Sequence, residues 1–317
     1  MANKREMVIA NFNCTYGDDN LPMLEYFDEI LYPAFTSNIK RVTEDKDEYF
    51  FEQVRLIEYM ENEFAITGLF IKRTIIEVKS GYDDDNGLTH KDINIPTAPY
   101  SLFVIFLNNH RMLLIKNQRR ESPDIRSFSA TAKTIINQVV KKYNKERSKE
   151  EKLPYPFLNI ASIPSKETIE SQLENVKNIN SITLRFYPLN GDVDTSAVLM
   201  HLRSQLDILK SKTGNTVINS PKDKKEVIDF IEDTKGNAIP SLKVSYNNGD
   251  SRTIKSDEFA EKINVVLNEE NLSIESTTEV INKVINRKEI QEVSEDNKVI
   301  YLDKFQSIKN KWKDGGK

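Results

Sequence analysis

The chain has a single cysteine, Cys14, in 317 residues, which excludes an internal disulfide. Its three histidines, His90, His110 and His201, are scattered, so a Cys/His structural zinc site cannot be assembled either. Ten glycines, adjacent only at Gly315-Gly316, are too few for a phosphate-binding loop or a Rossmann glycine pattern, and no Gly-x-Ser-x-Gly elbow or kinase signature occurs. No apolar run approaches the ~18 residues that a membrane-spanning helix needs. The short stretch Met7 to Ala10, behind Lys4-Arg5-Glu6, reads as neither a signal nor a transit peptide. The expectation is a cytoplasmic protein without membrane insertion.

What is present is enough chain for two domains, with 38% apolar and 30% charged residues. Met7 to Phe12 reads as a strand, and Leu24, Phe27, Ile30, Leu31 and Phe35 have helical spacing. Tyr49 to Tyr59 and Phe64 to Lys79 alternate as two strands. Tyr82 to Thr97, rich in Asp and Asn, reads as a long exposed loop. Leu102 to Leu107 and Met112 to Ile115 form a hairpin about Asn108-Asn109. Ala132, Ile135, Ile136, Val139, Val140 and Tyr143 are the stripe of an amphipathic helix. The charged run Lys145 to Lys152, followed by Pro154 and Pro156, marks a domain boundary.

Beyond it, a strand from Phe157, a helix capped by Ser165 and a strand over Ile182 to Tyr187 suggest a βαβ unit. A helix with Val198, Leu199, Leu202, Leu206 and Leu209 follows, then a short helix near Val227 and a hairpin about Asn248-Gly249. From Asp257 onward helical segments dominate, with stripes at Val280 to Ile285 and Phe305 to Trp312; these can bind a partner or pack on their own domain. The predicted class is α+β. Residues 1–152 form a mainly antiparallel sheet domain with a basic helix, and residues 153–317 a smaller α/β, split-βαβ-like domain with a helical tail.

Two segments have spacings that serve metal chemistry. In Thr74 to Gly81, Glu77 and Lys79 lie one pleat apart on one face of a strand. That is the Glu-x-Lys arrangement by which PD-(D/E)xK nucleases bind Mg²⁺ and steady the attacking water. The class also needs an acidic residue on a preceding strand, and only Glu61 and Glu63 are offered. A half-exposed strand alternates charges in this way without any site, and that is the preferred reading. Asp192 and Asp194, just past a strand, could share a metal as in Toprim-type sites, but turn and N-cap chemistry accounts for both. No cofactor is assigned; Mg²⁺ belongs to the nuclease alternative alone.

Charge is distributed unevenly. From Asn109 to Lys152 there are twelve Lys/Arg against five acids, whereas residues 1–64 hold six bases and fourteen acids, within a net charge of -4. A basic middle on an acidic protein suits a phosphate backbone or an acidic partner subunit, with Arg111, Arg119, Arg120, Arg126, Lys141 and Lys142 as the candidate contacts. A solvated helix face followed by a charged linker would show the same count.

Three stretches carry a resemblance: Val8-Ile9-Ala10-Asn11-Phe12-Asn13, Gly68-Leu69-Phe70-Ile71-Lys72-Arg73, and Ala98-Pro99-Tyr100-Ser101-Leu102-Phe103 running into Asn109-His110-Arg111-Met112. They look like uncharacterised bacterial proteins of about this length, some of which sit near phage-defence and mobile-element genes. The resemblance covers the first half and implies a context, with no catalytic motif. The expected function is a non-enzymatic subunit of a phage-defence or DNA-processing complex that meets DNA, RNA or partner subunits through its basic region. The alternative is a Mg²⁺-dependent nuclease using Glu77 and Lys79.

Overall fold

In the computed structural model, which describes residues 3–118, 120–192, 196–268 and 270–315, the chain begins with the strand on which the first sheet is organised, β1 (Asn3–Tyr16). There follow β2 (Leu21–Pro22), helical turns over 23–31 that run into α1 (Tyr32–Phe35), then β3 (Arg41–Val42), β4 (Glu48–Met60), β5 (Glu63–Asp83), β6 (Gly87–Thr97), β7 (Tyr100–Phe106), β8 (Arg111–Lys116) and α2 (Ile125–Asn144). The chain continues with β9 (Pro156–Ser162), α3 (Lys166–Leu173), β10 (Val176–Phe186), α4 (Ala197–Leu209), β11 (Gly214–Asn219), α5 (Lys224–Glu232), β12 (Ile239–Tyr246) and β13 (Ser251–Lys255). β14 (Ile263–Leu267), α6 (Ser276–Val284), α7 (Lys288–Gln291) and α8 (Glu295–Gly315) complete it. Helix accounts for about 34% and strand for about 39%, and the helices lie on antiparallel sheets, which is the α+β class.

The large sheet has the order β14-β1-β8-β7-β5-β4-β3. One edge of β1 is shared: Asn3 to Met7 pairs with β14, and Ala10 to Tyr16 with β9. The other edge pairs with β8 from Met7 to Asn11. The strand is therefore buried on both faces, with Ala10, Phe12, Cys14 and Tyr16 in one core and Met7 and Ile9 in the other. On the first face α1, α2 and α8 close over a phenylalanine cluster. Phe35, Phe51, Phe70, Phe103 and Phe128 pack there with ring centroids 4.8–6.2 Å apart. On the second face Val280, Ile281 and Val284 of α6 pack against β7 and β8 side chains. α8 docks on the first face through Tyr301, Phe305, Ile308 and Trp312, and the Tyr301 hydroxyl donates to the Asn62 carbonyl at 2.9 Å. Both C-terminal stripes thus pack on the chain's own first sheet.

The second sheet, β11-β10-β12-β13, is antiparallel throughout. α3, α4 and α5 supply Ile169, Leu173, Leu199, Leu206, Val227 and Ile231 to its cores. β9 and β10, which flank α3, belong to different sheets, so no βαβ unit joins them. β14 also differs from expectation, because it is a strand within the stretch that reads as mainly helical; its partner is β1, some 260 residues earlier.

The stretch 82–97 is a correction. It is not a loop: only 83–87 forms the turn, closed by Asp83 Oδ1 accepting from the Asp85 and Asn86 N–H groups, and the remainder is β6. From Thr74 to Asp83, β5 pairs with β6 alone, beyond the end of β4 and β7. The result is a two-stranded ribbon that extends the sheet. Its polarity misleads because the turn and one face of the ribbon carry the charges, and the ribbon lies outside the buried cores of both sheets.

Candidate nucleic-acid interface

α2 is built to start and stop where it does. Asp124 caps it by accepting from the Ser127 N–H at 2.8 Å, and Ile125, Phe128, Ala132, Ile135, Ile136 and Val140 form its buried stripe. Lys141 and Lys142 occupy the last turn, exposed, where cations complement the carbonyl end of the helix. The buried Asn144 then fastens the chain: its Nδ2 donates to the Leu153 carbonyl and its Oδ1 accepts from the Leu153 N–H, both at 2.8 Å.

The eight residues between them form a closed loop carrying Lys145, Arg147, Lys149 and Lys152. Ser148 and Glu151 brace it internally, with the Ser148 hydroxyl 3.0 Å from Glu151 Oε2 and the Glu151 N–H donating to the Ser148 carbonyl. Tyr143 (39% exposed) and Tyr155 (47% exposed) flank the clasp, and the Arg147 guanidinium lies 4.9 Å from the centre of the Tyr143 ring. Beside them Lys212 lies over the Phe157 ring and bonds to the Asn20 side chain. From Lys141 to Tyr155 there are six cations and three acids, a net +3.

The other cations singled out in the sequence lie elsewhere. Arg120 is exposed in the turn before α2, so one length of that helix, about 30 Å for twenty residues, separates it from Lys142. Arg119 lies outside the described residues. Arg126 lines a cleft of about 400 Å³ between α2 and the second sheet, with Lys133 and Lys255, and pairs with Asp257. Arg111 is turned inward: it is 7% exposed, and its Nε donates to the Glu289 carbonyl at 3.2 Å. The basic region is therefore not one face.

Glu77 and Lys79 lie on the exposed ribbon. Lys79 Nζ is 3.3 Å from Glu77 and 3.0 Å from Asp92 on β6, and the two carboxylates share the lysine. Asp192 takes part in a junction between the two sheets. One of its oxygens accepts from Asn11 Nδ2 at 2.9 Å and the other from Asn297 Nδ2 at 3.2 Å. Both oxygens are thus turned toward N–H donors, the reverse of what a cation needs. Asp194 lies outside the described residues. Among the described residues no three His, Cys, Asp or Glu side chains converge as a metal site.

The same junction contains groups that the sequence does not mark. Asn13 Nδ2 donates to the Pro188 carbonyl, and the Asn190 N–H donates to Asn13 Oδ1. Ser294 bonds to the Gly191 carbonyl and receives the Asn297 N–H. His110 is enclosed here, and burial lowers its imidazole to about 4, against the pull of the Asp192 carboxylate. Asn144 and Tyr155, which shape the basic loop, also escape a reading of the sequence; the one local hint is an aromatic residue held between Pro154 and Pro156. No helix among the described residues is long and apolar enough to cross a membrane. Comparison with known family models, curated proteins and solved structures returns no match to this chain.

Proposed function

We propose that this chain is a non-enzymatic subunit of a bacterial phage-defence or DNA-processing complex that contacts nucleic acid through the clasped loop at the end of α2. The observation that carries the reading is the Asn144–Leu153 clasp. A charged linker needs no buried amide to hold its ends together, whereas a binding loop gains from having its cations positioned in advance. The flanking Tyr143 and Tyr155 offer ring faces for bases beside cations for phosphates, the pairing that nucleic-acid grooves use. The gene context comes from the resemblance in the first half of the chain.

The test is retention of single- and double-stranded DNA and RNA by the wild type and by a variant with Lys141, Lys142, Arg147 and Lys149 replaced by alanine. Removing four phosphate-binding cations should weaken binding and reduce the slope of log K against log salt by about 3. Equal affinity and equal slope would refute the assignment. The rival reading, a Mg²⁺-dependent nuclease, is supported by the Glu77-x-Lys79 spacing alone. Cleavage of DNA in Mg²⁺ or Mn²⁺ that disappears in a folded Glu77→Ala protein would establish it instead.

A further inference from the structure

The ribbon formed by the outer part of β5 and by β6 has two different faces. Cross-strand pairing puts Ile76 opposite Ile95, Val78 opposite Ile93 and Tyr82 opposite Leu88, and a register shift lies between Val78 and Ser80. These pairs share one face. The other face carries the Glu77–Lys79–Asp92 ion pairs. On the apolar face Ile76, Ile93, Ile95, Leu88 and Tyr82 are 41–77% exposed. A two-stranded ribbon has little stability of its own in water, and a largely apolar face on one, interrupted only by the Ser80–His90 pair, is unusual unless something lies against it.

We infer that a second copy of this chain covers it, the two ribbons stacking face to face and head to tail. The spacing of the side chains selects this arrangement. Apolar pairs occur at both ends of the face, with the Ser80–His90 pair between, so a two-fold axis near the 78–80 segment seats Ile76 and Ile95 of one copy on Tyr82 and Leu88 of the other. A two-fold contact requires such self-complementarity. Charge selects the direction. The tip carries Asp83, Asp84 and Asp85; stacking the ribbons tip to tip would place both triplets together, whereas head to tail keeps them a ribbon's length apart. With roughly 500 Å² of apolar side chain on this face of each copy, the pair buries about 1,000 Å², the low end for a specific interface. An interface of this size suits reversible association, so the dimer should dissociate on dilution.

Sedimentation equilibrium of the full chain across the micromolar range tests this. The wild type should pass from monomer to dimer with concentration. The Ile76→Glu, Ile95→Lys double variant, whose new charges oppose each other across the ribbon and so keep its pairing, should remain monomeric with an unchanged circular dichroism spectrum. A wild type that stays monomeric, or a double variant that dimerises equally well, overturns the inference. The contact face is tested separately with a bismaleimide of about 10 Å reach, the spacing of stacked sheets. Ser80→Cys should give covalent dimer and Lys79→Cys, on the opposite face, should not; equal yields from the two overturn the face assignment. The native Cys14 is buried and serves as the unreactive background.

Discussion

Asn144 and Leu153 are joined by two hydrogen bonds, one in each direction, both 2.8 Å long. One side chain thereby satisfies the carbonyl and the N–H of a residue nine positions on, and fixes the base of the basic loop. Asn144→Ala leaves both Leu153 groups unpaired at a buried site, which should cost about 1–3 kcal/mol in urea denaturation. Hydrogen exchange over residues 145–152 should accelerate more than elsewhere. An unchanged exchange rate in that segment would mean that the clasp does not order the loop.

Gly191 and Gly249 form a controlled pair. Both have positive φ, +78° and +90°, but a Cβ on Gly191 would run into Asn297 Oδ1, while one on Gly249 meets open space. Gly249→Ala should therefore show only the left-handed backbone cost of about 1–2 kcal/mol. Gly191→Ala should add a clash that displaces Asn297 from Asp192 and loosens the start of α8, for a total of at least about 3 kcal/mol. Equal losses in the two variants would show that the Asn297–Asp192 contact gives way without cost.

Much of the fold is legible because its elements announce themselves locally. β4, the inner part of β5, the β7–β8 hairpin and α2 each have a period that a short window reveals. What stays hidden depends on partners far along the chain. Ile263 to Leu267 is an unremarkable apolar run until Asn3 to Met7 is laid beside it, and β9 beside α3 looks like half of a βαβ unit until its pairing with β1 is known. The site divides in the same way. Counting charge finds Lys141 and Lys142, but it also gathers Arg111, which the fold buries, and Arg120, a helix length away. Asn144 becomes meaningful only when the chain returns to it at Leu153.

Cys14 is completely buried beside Tyr16, and burial pushes its thiol up to about 12 against a hydrogen bond with Tyr16 that favours the thiolate. The nucleophilic thiolate is therefore almost absent near neutral pH. Iodoacetamide should leave the native protein unmodified at pH 8 and label it promptly in urea, so the labelling rate should follow global opening. Rapid labelling of native protein, read by mass spectrometry, would contradict this packing.

His110 should make the protein acid-sensitive over a defined window. Its imidazole falls to about 4 through burial and the neighbouring Arg111 charge, with Asp192 opposing, from an unfolded value near 6.5. Between those values the unfolded chain binds a proton that the folded chain does not, so stability falls as pH falls and recovers above about 7. The full effect is on the order of 3 kcal/mol. His110 also occupies a left-handed turn position, φ 58°, which asparagine tolerates, so His110→Asn removes the titration while suiting the backbone. Urea denaturation at a series of pH values should show the wild type losing about 3 kcal/mol relative to His110→Asn between pH 7 and pH 4. Parallel curves would mean that the imidazole takes up its proton within the folded junction, with Asp192 as its counter-charge.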